Sequence, residues 1–223
     1  MKFGVIQMGS PYLIEIRLFG RAKYEIRELI LHICKKFNIT ISRPVPHITL
    51  VGGFSTRDED RLIRDFKLVC CCTGLIGYVI EGKGTFKDTG VIKLNVQPSK
   101  ELINFRRKLR DRLLKYCTLS EWDIEEHFEF HVTIVAHMNQ EKIRYVMQNF
   151  NFDKRYNHRM LRATLLKNGK ILAEYDFLLK KMLNQQEALN KQVLMNTMSV
   201  LKEGKTEKRV SLWRKLLCYI RLW

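Results

Sequence analysis

The sequence predicts an α+β fold of two pseudo-symmetric lobes, with antiparallel sheets facing a central groove and helices outside. Three observations predict it. Strand-like and helix-like runs alternate between Tyr12 and Leu178. The pattern His-x-Thr-x occurs twice, as His47-Ile48-Thr49-Leu50 and as His131-Val132-Thr133-Ile134. Each copy lies in a short run of strand formers, Val45 to Val51 and Phe128 to Ala136, so each half of the chain contributes one such strand.

The elements follow in order. Tyr12 to Leu18 alternates as a strand does. Arg21 to Phe37 places Ile26, Leu29, Ile30, Ile33 and Phe37 at helical spacing. Asn38 and the Pro44 to Pro46 region end that helix and lead into the first motif strand. Gly52 and Gly53 turn the chain, and Ser55 or Thr56 can cap a short helix over Asp58 to Phe66. Phe66 to Val79 reads as strand-like, with a turn at Thr73-Gly74. Glu81 to Gly90 is glycine-rich and reads as a loop into the strand Val91 to Val96. Pro98-Ser99 opens the strongest helix, with Leu102, Phe105, Leu109, Leu113 and Tyr116 on one side. On its other side Arg106, Arg107, Lys108, Arg110 and Arg112 make a basic, solvated face. Gln140 to Phe150 is a further helix after the second motif strand. Met160 to Leu166, a turn at Asn168-Gly169 and Ile171 to Leu178 form a hairpin.

Composition narrows the function classes. The chain has 223 residues and 46% hydrophobic content, enough for one sizeable core and against global disorder. A formal net charge of +17 and a pI near 9.8 point to a polyanionic partner or an anionic surface. No apolar run is long enough to span a bilayer, and Met1 to Met8 lacks the apolar core of a signal peptide. The cysteines Cys34, Cys70, Cys71, Cys72, Cys117 and Cys218 form no C-x-x-C pair. Adjacent cysteines in a strand point to opposite faces and cannot chelate one metal, so reduced thiols in a cytoplasmic protein are expected.

The duplicated motif carries the chemistry. In a strand, residues i and i+2 share a face. His47 with Thr49, and His131 with Thr133, then offer an imidazole and a hydroxyl on one side and bury aliphatic residues on the other. Two imidazoles and two hydroxyls around one small anion suit phosphodiester chemistry. One His takes a proton from the attacking group and the other protonates the leaving oxygen. The hydroxyls hold the non-bridging oxygens. Neither a metal nor a cofactor is required. His47 and His131 are therefore the candidate catalytic residues, and Thr49 and Thr133 the phosphate-binding ones.

These motifs resemble those of the 2H phosphoesterase superfamily, in particular its 2′-5′ RNA ligase and RNA 2′,3′-cyclic phosphodiesterase families. The flanks agree. Pro44-Val45-Pro46 precedes the first motif and Gly52-Gly53-Phe54 follows it. Gly84-Thr85-Phe86, a break, and Val91 to Val96 resemble the central hairpin of that superfamily. The likeness covers roughly residues 10 to 180 and also implies the two-lobed fold.

The resemblance implies a metal-independent phosphodiesterase that opens RNA 2′,3′-cyclic phosphates, with a 2′-phosphate as product. A 2′-5′ phosphodiesterase or RNA 2′-5′ ligase fits the same site. So does a non-catalytic module that binds RNA ends. The partner is an RNA or oligonucleotide with a cyclic phosphate or a 2′-5′ linkage. Arg43, at the entrance of the first motif strand, is a candidate phosphate contact, and Phe54 a candidate for stacking on a base. Tyr12, Phe130 and His137 are weaker candidates for the groove's border.

The expected domain covers residues 1–180. Residues 181–223 read as a basic extension whose end is amphipathic. Trp213, Leu216, Leu217, Ile220 and Trp223 fall on one helical face. Such a segment, 205–223, suits a peripheral membrane surface or self-association, and docking on the domain or a second protomer needs the same single apolar face.

Overall fold

A computed structural model of the chain describes residues 11–40, 45–86, 88–125 and 127–202. In chain order the elements are β1 (Tyr12–Arg17), α1 (Gly20–Lys36), β2 (His47–Phe54), α2 (Glu59–Cys71), β3 (Ile76–Phe86), β4 (Val91–Pro98) and α3 (Lys100–Leu113). Then come α4 (Glu121–Ile124), β5 (His131–Val135), α5 (Gln140–Asn149), β6 (Tyr156–Met160), β7 (Arg162–Lys167), β8 (Lys170–Asp176), β9 (Lys181–Leu183), α6 (Gln185–Leu189) and α7 (Lys191–Lys202). Arg43 and the segment 205–223 lie outside the described residues.

The α+β class and the antiparallel pairing agree with expectation. The sheets of the two halves are joined edge to edge. They form one nine-stranded sheet in the order β6-β3-β4-β5-β2-β1-β7-β8-β9. The join is the pairing of the two motif strands, through Ile48 opposite Val132. On one side of it stand β5, β4, β3 and β6, all from the middle of the chain; on the other stand β2, β1, β7, β8 and β9.

Alternation sets the two faces of the central strands. Ile14, Ile16, Ile48, Leu50, Ile92, Leu94, Val132 and Ile134 are buried on the side that carries the core. Glu15, Arg17, His47, Thr49, Lys93, Asn95, His131 and Thr133 fall on the opposite side.

The helices reach across between the halves. α1 follows β1 in sequence, yet it packs on β5. Tyr156 of β6 donates its hydroxyl to Glu25 of α1, and Phe37 meets Tyr145 of α5 edge to face. α3 follows β4 and touches the β3–β4 hairpin, but it also packs on β2 and α2 of the other half. Phe105 of α3 meets Phe177, which follows β8.

Several local readings are corrected. Residues 66–71 are helical: Leu62, Phe66, Val69 and Cys70 recur at helical spacing and are buried. The cap is Asp58, whose side chain accepts from the Arg61 amide. Cys34, Cys70, Cys71 and Cys117 are free thiols.

Residues 81–86 belong to β3 rather than to a loop. Their glycines serve a bulge between Ile80 and Lys83, where Gly82 has φ +79°, and a close approach at Gly84. Arg106 is buried instead of solvated, and its guanidinium donates to the Asp123 carbonyl and lies over the Phe128 ring.

The ordered structure continues past residue 180. β9 pairs with β8, and α6 begins with a capping box between Asn184 and Glu187. α7 is pinned to the sheet by a buried ion cluster. Arg162, 1% exposed, donates from Nε to Asp176 (2.8 Å), from Nη1 to Glu174 (2.9 Å) and from Nη2 to the Thr197 hydroxyl (2.8 Å). Thr197 in turn donates to Asp176, and Thr164 to Glu174. Charges buried this deeply are tolerated only when paired and hydrogen-bonded, and these are. Among the described residues no helix is long and apolar enough to cross a membrane.

Candidate active site

The two motif histidines stand on neighbouring strands. Directly opposed residues of an antiparallel pair point the same way. With Ile48 opposite Val132, the register carries His47 beside Thr133 and Thr49 beside His131. The outer neighbours extend both rows. Arg17 of β1 lies opposite His47 and Glu15 opposite Thr49. Lys93 of β4 lies opposite Thr133 and Asn95 opposite His131. Across β1-β2-β5-β4 the polar face thus reads Arg17, His47, Thr133, Lys93 in one row and Glu15, Thr49, His131, Asn95 in the next.

The imidazoles are set alike. Each Nδ1 is 2.9 Å from the carbonyl oxygen two residues earlier, Val45 for His47 and Glu129 for His131. A carbonyl only accepts, so each Nδ1 carries the proton and each Nε2 is the nitrogen left to accept or donate.

Their surroundings differ. Nε2 of His47 lies 3.8 Å from the buried carboxylate of Glu15. Nε of Arg17 donates to the other oxygen of that carboxylate at 2.9 Å. His131 meets the Phe86 ring edge to face at 5.0 Å. Lys93, only 4% exposed, lies with Nζ 4.1 Å from the centroid of the same ring and pairs with Glu129. Burial holds the His131 imidazole below its ordinary pKa, and the Lys93 charge adds to that. Its bond to the Glu129 carbonyl works in the opposite direction.

The site needs Gly84 on β3. A Cβ there would stand 2.9 Å from Asn95 Oδ1 and 3.0 Å from Lys93 Cε. A second glycine fixes the far end of β2. The Gly52 amide donates to Asp123, which also accepts from Ser120 and pairs with Arg106. A Cβ on Gly52 would meet Asp123 Oδ2 at 2.8 Å. Gly52→Ala should therefore cost about 1–3 kcal/mol by overpacking a held carboxylate, read as a lower midpoint in urea.

The structure brings together His47, His131, Thr49 and Thr133. It does not bring Phe54 to the groove: that ring is fully buried and stacks on Tyr12 at 5.7 Å, so it cannot receive a base. Its side chain belongs to the core. Tyr12 and Phe130 are buried too. β5 ends at Val135, and His137 has φ +60°, so strand parity does not carry to it.

Sequence reasoning misses Glu15, Arg17, Lys93, Phe86 and Asn95. Alternation within the strands Tyr12 to Leu18 and Val91 to Val96 marks four of them as face residues; their nearness to the histidines comes only from the pairing. Among the described residues no group of three or more His, Cys, Asp and Glu side chains is placed to hold a metal ion. A separate cavity of about 660 Å³ opens between the start of α1 and β6, lined by Arg21, Lys154, Tyr156 and His158, and includes none of the site's side chains.

Comparison with solved structures finds low-identity likeness over most of the chain. A phosphoesterase crystal structure is 18% identical, with 78% of this chain and 93% of that one covered and a TM-score of 0.45. Escherichia coli LigT complexed with 3′-AMP is 18% identical, with 78% and 92% covered and a TM-score of 0.46. TT0787 of Thermus thermophilus is 13% identical, with 70% and 86% covered and a TM-score of 0.46. A search of curated proteins returns no match. The 2′-5′ RNA ligase superfamily profile matches residues 20–170, most of the chain and both histidine motifs. By that match the chain belongs to the 2′-5′ RNA ligase superfamily of two-histidine phosphoesterases.

Proposed function

We propose that the protein is a metal-independent phosphodiesterase that opens RNA 2′,3′-cyclic phosphates to 2′-phosphates. The observation that carries this reading is the paired imidazole geometry: both Nδ1 atoms are bonded to backbone carbonyls, both Nε2 atoms are left for chemistry, and a threonine stands beside each. His131 takes a proton from water on Nε2 as the water oxygen attacks phosphorus. The bond from phosphorus to the 3′ oxygen breaks, and His47 gives that oxygen its Nε2 proton. Thr49 and Thr133 donate to the non-bridging oxygens as charge grows on them. A 5′-hydroxyl in place of water would run the same site as a ligase.

The assignment of His131 as base rests on its surroundings. A base must be neutral to act, and burial together with Lys93 favours the neutral form. Activity should therefore persist below the ordinary histidine pKa of about 6.5. Lys93→Met removes a cation and leaves Glu129, and both changes favour protonated His131. The acidic limb of kcat/KM against pH should move up; an unmoved limb assigns the base elsewhere.

The reaction is tested by incubating the full chain, in EDTA, with an RNA ending in a 2′,3′-cyclic phosphate and with a 2′-5′ linked oligoadenylate. Mass spectrometry should show ring opening of the first. Cleavage of the second alone would make the enzyme a 2′-5′ phosphodiesterase. Binding of both without turnover would make it an RNA-end binding module.

A further inference from the structure

The central face is symmetric in its motifs but not in its flanks. Arg17 occupies the place beside His47 that Asn95 occupies beside His131. Glu15 occupies the place beside Thr49 that Lys93 occupies beside Thr133. Both flanking cations therefore stand in the row of His47 and Thr133, at its two ends. They are not equivalent. Lys93 is almost wholly buried and already paired with Glu129 beneath Phe86.

Arg17 is differently placed. Its side chain remains 19% exposed, next to a 22% exposed His47. Its Nε is bonded to a fully buried carboxylate, which fixes the plane of the guanidinium. Its Nη atoms make no hydrogen bond among the described residues. Cβ atoms of directly opposed strand residues lie about 4.5–5.5 Å apart. A guanidinium on the residue opposite His47, held by one edge and free at the other, presents two donors suited to phosphate oxygens.

We propose that Arg17, oriented by Glu15, binds a non-bridging oxygen of the scissile phosphate on the His47 side of the site. The proposal takes its phosphate position from the function proposed above. It makes anion recognition one-sided: the exposed cation serves the row of His47, and no equivalent cation faces His131 from β4. Glu15 is a positioning residue, since its carboxylate acts through Arg17.

The test uses the full chain and two readouts, steady-state opening of a 2′,3′-cyclic phosphate RNA and calorimetric binding of inorganic phosphate. Arg17→Met should raise KM and weaken phosphate binding at least about tenfold, the scale of a lost charge-assisted hydrogen bond. Arg17→Lys should recover part of the binding through its point charge. Glu15→Gln separates positioning from simple repulsion. It removes a negative charge next to the anion, so tighter phosphate binding would overturn the positioning role, and weaker binding supports it. Unchanged KM and phosphate affinity in Arg17→Met would overturn the whole proposal, whether or not its Tm falls. A parent chain that binds phosphate but opens no cyclic phosphate sinks the function reading alone, and the titration still decides Arg17.

Discussion

His131→Ala and His47→Ala should each lower turnover of a 2′,3′-cyclic phosphate at least about a hundredfold, the scale of lost acid–base catalysis. Neither change should unfold the chain. Each imidazole is only half-buried, and each ring's Nδ1 is bonded to a backbone carbonyl of its own segment rather than to another element. The loss then falls on chemistry, and a melting curve run beside the kinetics checks it. The two variants are separable by leaving group. A substrate that expels a nitrophenolate needs little help from an acid, so His47→Ala should recover most of its rate on it. His131→Ala still lacks the group that activates water and should not recover. Full activity of either variant on the RNA substrate would remove that histidine from the mechanism. Recovery of the wrong variant would exchange the two roles.

Arg162→Met should be the most damaging single change to stability. It leaves the Asp176 and Glu174 carboxyl groups buried with their main cation gone, and it removes the donor that holds Thr197 of α7. Breaking a buried pair on one side costs about 3–5 kcal/mol, a large part of the stability of a typical domain. Chemical denaturation should show the loss, and proteolysis within 184–202 should accelerate as α7 comes away. Replacing Arg162, Glu174 and Asp176 together with apolar residues of similar volume should recover much of it, because no charge is then left buried alone. A triple variant as unstable as the single one would mean that α7 depends on this cluster for its geometry and not only for charge balance.

Much of the fold is legible because its signals are local. Helical spacing marks α1, α3 and α5, and Ser99 stands where the sequence places it, at the start of α3, with its side chain accepting from the Leu102 amide. Alternation marks β1, β2, β4 and β5, and the turn at Asn168-Gly169 joins β7 to β8 as expected.

Composition is the misleading signal. The cysteine run at 70–72 suggests a strand, while the spacing of Leu62, Phe66 and Val69 carries the helix through it. The glycines between Glu81 and Gly90 suggest a loop, but β3 uses Gly82 for a bulge and Gly84 for room beside Lys93 and Asn95. The polar tract after residue 180 hides β9, α6 and α7, although Asn184 with Glu187 three residues later is a readable helix start. Tyr156, His158 and Met160 likewise alternate through β6, a strand whose polar neighbours disguise it.

For the site, the motif residues are a matter of sequence, whereas Arg17 and Lys93 become neighbours of the histidines only through pairings made far along the chain. Phe54 shows the opposite limit. Its place after a glycine pair suggests the groove, and the fold puts it in the core.

The crossing helices make each histidine's half dependent on the other. The strands that present His131 rest on a helix made before them, from residues 20–36, while those that present His47 lean on one made after them, from residues 100–113. Neither half holds all of its own apolar cover, so neither is a folding unit. The acid and the base are in effect covalent heterodimer partners that have linked arms. One cannot loosen without stripping the floor from under the other, and the chain should gain or lose both imidazoles in a single cooperative step.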